Sequence, residues 1–495
     1  MLKKYNVLLL GDSEFETLLG KKIAQSPYLN QLYAIPGNTD LLEQGIVCFS
    51  NIHRYDIEKF IEEYNIQIVL PGPYCSLDLE TLSELNSSKT KVLSPNSDLK
   101  LFIEERTSWR EYLKNISIAI PKGQNYDHVD GAQQYIETLC FPLAVKIESP
   151  DYRETKYCVD EDMVKRFIHE TLRDHIIERT GYKIIINNKV FTDVEDVYPF
   201  INNLAFPIMG KTNQSKIGCT IRCNNKEDFK DLIDKLIKEK VHGDDGMDIL
   251  IEDYLEGNKF NATALIDGNT IVLFPFLQHI LTKQDNAGAR SLYTSPKIMN
   301  KKNWDILEKM LVMPTIHAVN NYLNKTKEYD DDNTEKYQKY KGILSLEIVW
   351  AKNQPYIVDM KFNWDLWAFY LLSDILESDW LQLLVNFLHD KLDNTPIQWS
   401  SKTFFSIFVP KEDIETSKEI KTAFQEDNLF DTQTTYYPEN RSAKRETNQH
   451  GAGIVFSTKD FKKSVKEIKE YWENNNYSNV SSFLYYLNTL EQKIS

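Results

Sequence analysis

The sequence lacks three features that define common classes of protein. Its six cysteines are scattered, and because none of them forms a Cys-x-x-Cys pair we expect free thiols in a reducing cytoplasm. It has no apolar run near the ~18–20 residues that a membrane helix needs, so we predict no membrane span. It also lacks an excess of basic residues: the net charge is −15, which disfavours binding to nucleic acid or to an anionic membrane surface.

Short apolar strands and helices alternate through the first 96 residues. We predict strands at 7–11, 32–35, 66–70 and 91–95, with helices between them. This alternation is typical of a doubly wound parallel sheet. With 495 residues, of which 42% are apolar, the chain is long enough for an α/β protein of two to four domains.

An internal repeat follows this predicted sheet. Residues 126–168 match residues 191–233 at a constant offset of 65, without a gap. Each copy has the pattern helix, strand, loop, strand and helix, and the first strand of each copy ends in a lysine, Lys146 or Lys211. An ungapped match of this length favours a tandem duplication over two unrelated strand–helix units.

Two carboxylates face each other in a predicted β-hairpin. Strands at 342–350 and 355–361 are joined by a turn, and folding about Asn353 places Glu347 directly opposite Asp359. Like charges repel at such a cross-strand position, so a cation is needed between them. Mg²⁺ is the natural candidate, because hard oxygen ligands and nucleotide phosphates suit it.

A lysine on the same face offers a second way to neutralise this pair. Lys361 follows Asp359 by two residues, and residues two apart in a strand share a face. The hairpin therefore predicts either a metal site or a site that carries its own cation. The first favours an enzyme, and the second favours a protein without catalysis.

Several short motifs occur in an order that is typical of one superfamily. The chain resembles the ATP-grasp superfamily, and within it the phosphoribosylamine–glycine ligases (glycinamide ribonucleotide synthetases), over nearly its whole length. The segments that carry this resemblance are Ala34-Ile35-Pro36-Gly37-Asn38, Leu70-Pro71-Gly72-Pro73, Ile249-Leu250-Ile251-Glu252-Asp253-Tyr254-Leu255-Glu256-Gly257, Leu292-Tyr293-Thr294-Ser295-Pro296, the hairpin that begins at Gly342, and Asn448-Gln449-His450-Gly451-Ala452-Gly453.

The resemblance implies a chain of four parts, in which two α+β subdomains clamp ATP. In such a clamp, lysines neutralise the phosphate charge and two acidic residues hold Mg²⁺. The implied parts are an N-terminal doubly wound domain at 1–96, a small ATP-grasp subdomain with the duplicated segment at 97–255, a large subdomain with the metal hairpin at 256–398, and a small C-terminal α/β domain at 399–495.

The resemblance also implies roles for individual residues. Either Lys146 or Lys211 would contact ATP, and we favour Lys211 because the glycine–lysine segment that follows it is similar to a loop of the family. Lys361 and Asn363 replace an asparagine and an arginine of the family. The implied set is Glu347 and Asp359 as metal ligands; Arg106, Lys146, Lys211, Glu252, Asp253, Tyr254, Leu255 and Lys259 as cofactor-binding residues; and Arg290, Lys361 and Asn363 as catalytic residues.

The loop after the first strand departs from the family. The family has a glycine-rich, phosphate-cradling loop there, whereas this chain has Gly11-Asp12-Ser13-Glu14-Phe15-Glu16. Two glycines that allow close approach of a phosphate are missing, and acidic side chains replace them. We therefore expect a substrate pair other than phosphoribosylamine and glycine.

The combined prediction is an ATP-dependent carboxylate–amine ligase that forms an amide through an acyl phosphate. ATP and Mg²⁺ are the expected cofactors, and a small-molecule carboxylate and amine are the expected substrates. We expect a cytoplasmic monomer or homodimer that binds neither nucleic acid nor membrane. The alternative is a non-catalytic ATP-grasp pseudoenzyme that serves as a binding or scaffold protein.

Overall fold

The structure is a computed structural model of the chain. The residues that it describes are 3–49, 56–104, 106–121, 145–149, 152–156, 184–186, 189–191, 208–212, 218–223, 249–252, 255, 257–279, 292–294, 301–325, 339–351, 353–410, 431–436, 451–458 and 466. No helix within these ranges is long and apolar enough to cross a membrane.

The N-terminal part is a parallel sheet, as predicted, and it has five strands because Val47–Cys48 adds one that we did not predict. Its strand order is β3-β2-β1-β4-β5, so the direction of winding reverses between β1 and β4. In open sheets of this kind, ligands bind at the carboxyl ends of the strands on either side of that reversal. The elements are β1 (Tyr5–Gly11), α1 (Glu14–Ala24), β2 (Leu29–Pro36), α2 (Thr39–Glu43), β3 (Val47–Cys48), α3 (Ile57–Glu63), β4 (Ile68–Pro71), α4 (Leu79–Glu84) and β5 (Lys91–Val92).

Two helices connect this sheet to a second sheet of seven strands, whose order is β6-β7-β11-β10-β12-β8-β9. The helices are α5 (Lys100–Glu104) and α6 (Arg106–Asn115). The strands are β6 (Val145–Ser149), β7 (Tyr152–Lys156), β8 (Ile184–Ile186), β9 (Lys189–Phe191), β10 (Ile208–Thr212), β11 (Gly218–Cys223) and β12 (Ile249–Glu252).

Strands from both copies of the predicted repeat pair within this second sheet. In β11, Thr220 pairs with Lys146 of β6 on one side and with Lys211 of β10 on the other. The two lysines thus occupy one row of the sheet, on either side of Thr220. The helices of each repeat lie outside the described residues, so the tandem duplication stays a prediction.

The third sheet has nine strands and contains the hairpin. Its order is β18-β17-β13-β15-β16-β19-β21-β20, with β14 paired to β13. Strands from beyond residue 399 continue this sheet through the pairing of β16 with β19, and the division into four parts stays a prediction. The strands are β13 (Asn258–Asp267), β14 (Ile271–Leu273), β15 (Leu277–His279), β16 (Leu292–Thr294), β17 (Lys341–Ala351), β18 (Gln354–Lys361), β19 (Thr403–Pro410), β20 (Asp431–Tyr436) and β21 (Gly451–Thr458).

One face of the third sheet packs on a continuous helical stretch. This stretch comprises α7 (Lys301–Leu307), a π-helical turn (Glu308–Val312) and α8 (Met313–Lys325). The π turn directly precedes Pro314, whose ring would clash with the carbonyl of an ordinary helical turn and which cannot donate a backbone hydrogen bond. The buried side chains of this core include Phe260, Ala262 and Ala264 from β13, Leu344 and Leu346 from β17, and Leu311, Ile316 and Val319 from the helices.

The opposite face shares a core with the N-terminal sheet. Two further helices, α9 (Leu366–Ile375) and α10 (Trp380–Leu388), lie between the two sheets. The ring centroids of Phe15 in α1 and Phe369 in α9 are 4.5 Å apart. Because this core holds α1 and the hairpin strands together, the carboxyl ends of β1 and β4 lie near the end of β18.

Candidate active site

The candidate site lies on the third sheet, on the polar part of the face opposite α7 and α8. Along β13, the even-numbered residues enter the apolar core described above, while Lys259, Asn261 and Thr263 point to the other face. All three are buried, with exposures of 5%, 4% and 2%. Buried polar side chains need partners, so this row predicts a network of hydrogen bonds or ion pairs.

The predicted opposition of Glu347 and Asp359 is confirmed. The two residues pair directly in the antiparallel ladder of β17 and β18, and Asn261 of β13 pairs with Glu347 from the other side. The three side chains therefore form one row across three strands. Asp359 is only 2% exposed.

The reason we gave for this opposition is wrong. Folding about Asn353 would pair Val349 with Ile357, but Val349 pairs with Tyr356, and the two strands are joined by 352–353 alone. A one-residue register shift between Glu347 and Ile348 then moves Asp359 into place. The pairing of the two acids thus depends on a β-bulge, a feature that often re-aims side chains beside functional sites.

Lys259 is the cation that lies closest to Glu347. Its Nζ is 2.7 Å from Glu347 Oε2, and the two side chains are 6% and 14% exposed. The resemblance placed Lys259 at a nucleotide contact, and we did not predict that it pairs with a metal-site acid. The pairing depends on which residues of β13 and β17 lie side by side, and nothing local in the sequence specifies that register.

Lys361 has a closer partner than the two facing acids. Its Nζ is 2.7 Å from Asp365 Oδ2 and 4.0 Å from Glu347 Oε1. We did not predict a role for Asp365, although its spacing of four residues from Lys361 and its position just before a helix are visible in the sequence. Lys361 is therefore held by Asp365, with Glu347 as a second and more distant partner.

Asp365 links the ion pair to the fold. It is the N-cap of α9, where its Oδ1 accepts a hydrogen bond from Ala368 N at 3.1 Å. Burial raises the pKa of the Asp365 carboxyl, but the charge and hydrogen bond of Lys361 together with the hydrogen bond from Ala368 N bring the net pKa below the usual value. Asp365 therefore stays ionised and holds Lys361 beside Glu347.

A histidine that we did not predict borders the same face. His279 of β15 is 8% exposed, and its Nε2 makes a hydrogen bond with Oδ1 of Asn261. Asn261 in turn pairs with Glu347 in the strand register. His279 and Asn261 thus extend the polar row away from the hairpin.

A cleft of about 150 Å³ adjoins Lys361. It lies where the carboxyl ends of β4 and β5 approach the end of β18, and its lining includes Gly72, Ser94, Lys361 and Asn363. Two of the three predicted catalytic residues, Lys361 and Asn363, therefore meet here. Asn363 is already engaged in the turn after β18: its Oδ1 accepts from Trp364 N at 2.8 Å, and its carbonyl accepts from Ser345 Oγ at 2.8 Å.

The loop after β1 places a buried carboxyl at the reversal of the parallel sheet. Ser13 caps α1, and both its backbone N–H and its hydroxyl donate to Glu16 Oε2. Glu16 Oε1 has no hydrogen-bond partner among the described residues and lies against Gly11 and Gly72. Burial raises the pKa of Glu16 to about 7. The loop therefore presents an acid where the family cradles a phosphate.

The structure places the other predicted residues as follows. Leu255 is 7% exposed and packs beside Val349 and Ala351. Arg106 begins α6, and Glu252 ends β12, so both have described backbone positions. Arg290, Asp253 and Tyr254 lie outside the described residues, and their roles stay predictions.

Comparison with known proteins supports the resemblance that the motifs indicated. A family model, "Phosphoribosylglycinamide synthetase, ATP-grasp (A) domain", matches residues 164–364. A phosphoribosylamine–glycine ligase from Rhodopirellula baltica is 18% identical over 418 residues, which cover 83% of this chain and 79% of that protein.

Solved structures resemble the whole chain. The biotin carboxylase domain of a 2-oxoglutarate carboxylase from Hydrogenobacter thermophilus, solved with MgADP, has a TM-score of 0.57 at 9% identity and covers 96% of this chain and 90% of that one. An L-amino acid ligase from Bacillus licheniformis has a TM-score of 0.54 at 10% identity and covers 95% of this chain and 97% of that one. Residues 164–364 therefore match an ATP-grasp family model, and the chain is similar at low identity to phosphoribosylamine–glycine ligase.

Proposed function

We propose that this protein is an ADP-forming carboxylate–amine ligase that uses ATP and Mg²⁺. The observation that carries the proposal is the pairing of Glu347 with the buried Asp359 on adjacent strands, beside two ammonium groups. The family match adds support, because the hairpin falls within the matched residues 164–364.

The residues of the row fit a hard divalent cation. Directly opposed cross-strand residues have Cβ atoms about 4.5–5.5 Å apart, which lets two carboxylates share one ion. Among the described residues, no group of three or more His, Cys, Asp or Glu side chains could hold a metal by itself. This suits Mg²⁺, which usually takes one or two carboxylates and completes its shell with phosphate oxygens and water.

The chemistry then divides between the metal and the chain's own residues. When bound, Mg²⁺ would neutralise charge on the transferred phosphoryl group. Lys259 and Lys361 are close enough to Glu347 to contact phosphate oxygens beside that acid. Lys146 and Lys211 lie in one row of the seven-stranded sheet, on either side of Thr220, and one of them would supply further positive charge. A substrate carboxylate would take the γ-phosphoryl group to form an acyl phosphate, and attack by an amine would give the amide and release phosphate.

We also propose that the substrate pair is not phosphoribosylamine and glycine. Glu16 occupies the reversal of the N-terminal sheet with an unpartnered oxygen, which disfavours a phosphate there. The cleft beside Lys361 is the proposed place for the reacting carboxylate or amine, since Lys361 lines the cleft and also lies beside Glu347. The L-amino acid ligase neighbour is consistent with amino acids as candidates. We further propose a cytoplasmic monomer or homodimer that acts on small molecules.

A non-catalytic role is the second candidate, favoured by the ion pair of Lys259 with Glu347. This pair neutralises a proposed metal ligand within the chain itself. A descendant that had lost catalysis would retain the fold and bind a nucleotide or a protein partner. It would release no phosphate from ATP with any pair of substrates.

The test is a two-step experiment on the full chain. Calorimetric titration with MgADP and with a non-hydrolysable MgATP analogue should show binding, and phosphate release from MgATP should then depend on both a carboxylate and an amine in a panel of amino-acid pairs. Absence of nucleotide binding would overturn the ATP-grasp assignment. Binding without phosphate release in any pair would favour the non-catalytic alternative.

A further inference from the structure

Lys259 links β13 to the proposed metal ligand Glu347, and β13 directly follows the family-like segment 249–257. Lys259 is the second residue of β13, which begins directly after Gly257. In the strand register Lys259 lies opposite Val349, yet its side chain reaches diagonally to Glu347, which lies opposite Asn261. A lysine so deeply buried is stable only when paired, so this ion pair belongs to the ligand-free fold.

The charges of the described cluster nearly balance without a metal. Three carboxylates, those of Glu347, Asp359 and Asp365, lie in or beside the row, together with the ammonium groups of Lys259 and Lys361. The sum is −3 + 2 = −1. Without the lysines the same acids would repel the phosphates of a nucleotide, and a divalent cation would be essential.

The two lysines are not equivalent in this respect. Lys361 is held at 2.7 Å by Asp365, which is the N-cap of α9. Lys259 has its 2.7 Å contact with Glu347 itself. If the ammonium group of Lys259 moved from Glu347 to a nearby phosphate oxygen, it would exchange one anionic partner for another. Lys259 therefore occupies the position at which a cation can bridge Glu347 and a phosphate.

We propose that the ammonium group of Lys259 is a permanent cation of the nucleotide site. It neutralises part of the phosphate charge that a divalent metal would otherwise neutralise. A nucleoside diphosphate then binds to this protein without a divalent cation. The inference rests on the proposed nucleotide-binding function. It goes further by assigning charge neutralisation at Glu347 to Lys259, and it makes Glu347 a shared partner for which Lys259 and a metal compete.

Calorimetric titration of the full chain with ADP tests this proposal, once with Mg²⁺ and once with EDTA. For the wild type, removal of the metal should weaken binding by less than about tenfold, or ~1.4 kcal/mol. In Lys259→Met, binding in EDTA should weaken by more than tenfold relative to the wild type. Binding with Mg²⁺ should weaken by a smaller factor than binding in EDTA, because the metal then supplies positive charge beside Glu347.

Two further variants separate charge from folding. Lys259→Arg keeps the cation and should retain binding in EDTA. The double variant Lys259→Met/Glu347→Gln removes both charges, so it avoids an unpaired carboxylate if the single variant fails to fold. Its binding of ADP in EDTA should also be more than tenfold weaker than that of the wild type. Thermal unfolding of each variant without ligand reports folding independently.

Each outcome decides between the claims. ADP binding by the wild type with Mg²⁺ but not with EDTA overturns the role of Lys259 and leaves the proposed function standing. Equal ADP binding in EDTA by the wild type, by Lys259→Met and by the double variant also overturns the role of Lys259. No ADP binding under either condition overturns both the inference and the nucleotide-binding function.

Discussion

The parallel N-terminal sheet and the antiparallel hairpin sheet bury carboxyl groups in opposite ways. Glu16, at the reversal of the parallel sheet, is 1% exposed and accepts hydrogen bonds from the backbone N–H and the hydroxyl of Ser13. Glu347 and Asp365, beside the hairpin, each have a lysine Nζ at 2.7 Å. Without a cation, burial raises the pKa of Glu16 to about 7, whereas Lys361 keeps the pKa of Asp365 below its usual value.

This contrast shows that the partner of a buried carboxyl decides its charge. Near neutral pH the Glu16 carboxyl is partly protonated and behaves as a polar, largely structural group. Asp365 remains an anion beside Lys361, and Glu347 is paired with Lys259. The pKa values of Glu16 and Asp365 are therefore shifted in opposite directions.

The largest expected effect is on catalysis. Glu347→Gln removes an anion from the metal row with little change in shape, and we expect phosphate release to fall by about 10²–10³-fold, as for removal of one preorganised electrostatic group. The measurement is steady-state release with the best substrate pair. Asp379→Asn, at the N-cap of α10, is the matched control and should keep its activity. Full activity in Glu347→Gln would contradict the metal assignment.

The next largest effect is on stability in the hairpin sheet. Asp365→Asn keeps the N-cap of α9 but leaves Lys361 without its closest anion. Removing one partner of a buried ion pair should lower the free energy of unfolding by about 3–4 kcal/mol. Denaturant unfolding at pH 7 measures it. Asp379→Asn again serves as the control, because its partners are the Ser26 hydroxyl and the Gln382 amide. Equal losses in the two variants would show that the ion pair contributes little.

Neutralising the buried acid of the parallel sheet, Glu16, should raise the free energy of unfolding, whereas neutralising Asp365 should lower it. The folded pKa of Glu16 is about 7 against an ordinary 4.5, so the folded state binds more protons and this group loses stability as pH rises from 4.5 to 7. Glu16→Gln imitates the protonated acid. It should be more stable than the wild type by about 3 kcal/mol at pH 8 and equal to it at pH 4.

Denaturant unfolding of both proteins across this pH range measures the difference. A constant difference between pH 4 and pH 8 would contradict the raised pKa. Glu80→Gln is a suitable control, because Glu80 is paired with Lys100 at the surface. It should show no gain in stability at high pH.

The smallest expected effect concerns the space around Glu16. A Cβ on Gly72 would lie 1.5 Å from Glu16 Oε1, and Ser13 anchors the other carboxyl oxygen. Gly72→Ala should therefore destabilise the protein by roughly 1–2 kcal/mol through overpacking. In a Glu16→Ala background the same substitution should cost much less, and a double-mutant cycle measures that coupling. Equal costs in both backgrounds would contradict the contact.

Several elements could be predicted because their signals are local. The strands of the N-terminal sheet are short apolar runs separated by helices, and the parallel order follows from that alternation. The acidic hairpin is visible as two strands around a short turn. Lys361 shares a face with Asp359 because residues two apart in a strand always do.

The register and the ion pairs could not be predicted in this way. The bulge between Glu347 and Ile348 shifts the ladder by one residue, yet no residue type marks it. The pairing of Lys259 with Glu347 joins residues 88 positions apart, since 347 − 259 = 88, and it depends on how β13 pairs with β17. Lys361 pairs with Asp365 because α9 begins there and aims its N-cap back at β18.

The sequence by itself determined the parallel sheet, the acidic hairpin and the resemblance to ATP-grasp proteins, since these depend on composition, periodicity and the order of motifs. Only the tertiary structure decided which cation meets which acid. Ion pairs form between side chains that the fold brings within about 4 Å, and burial then sets how strongly each charge depends on its partner. For this reason Lys259, and not Lys361, is the cation closest to Glu347.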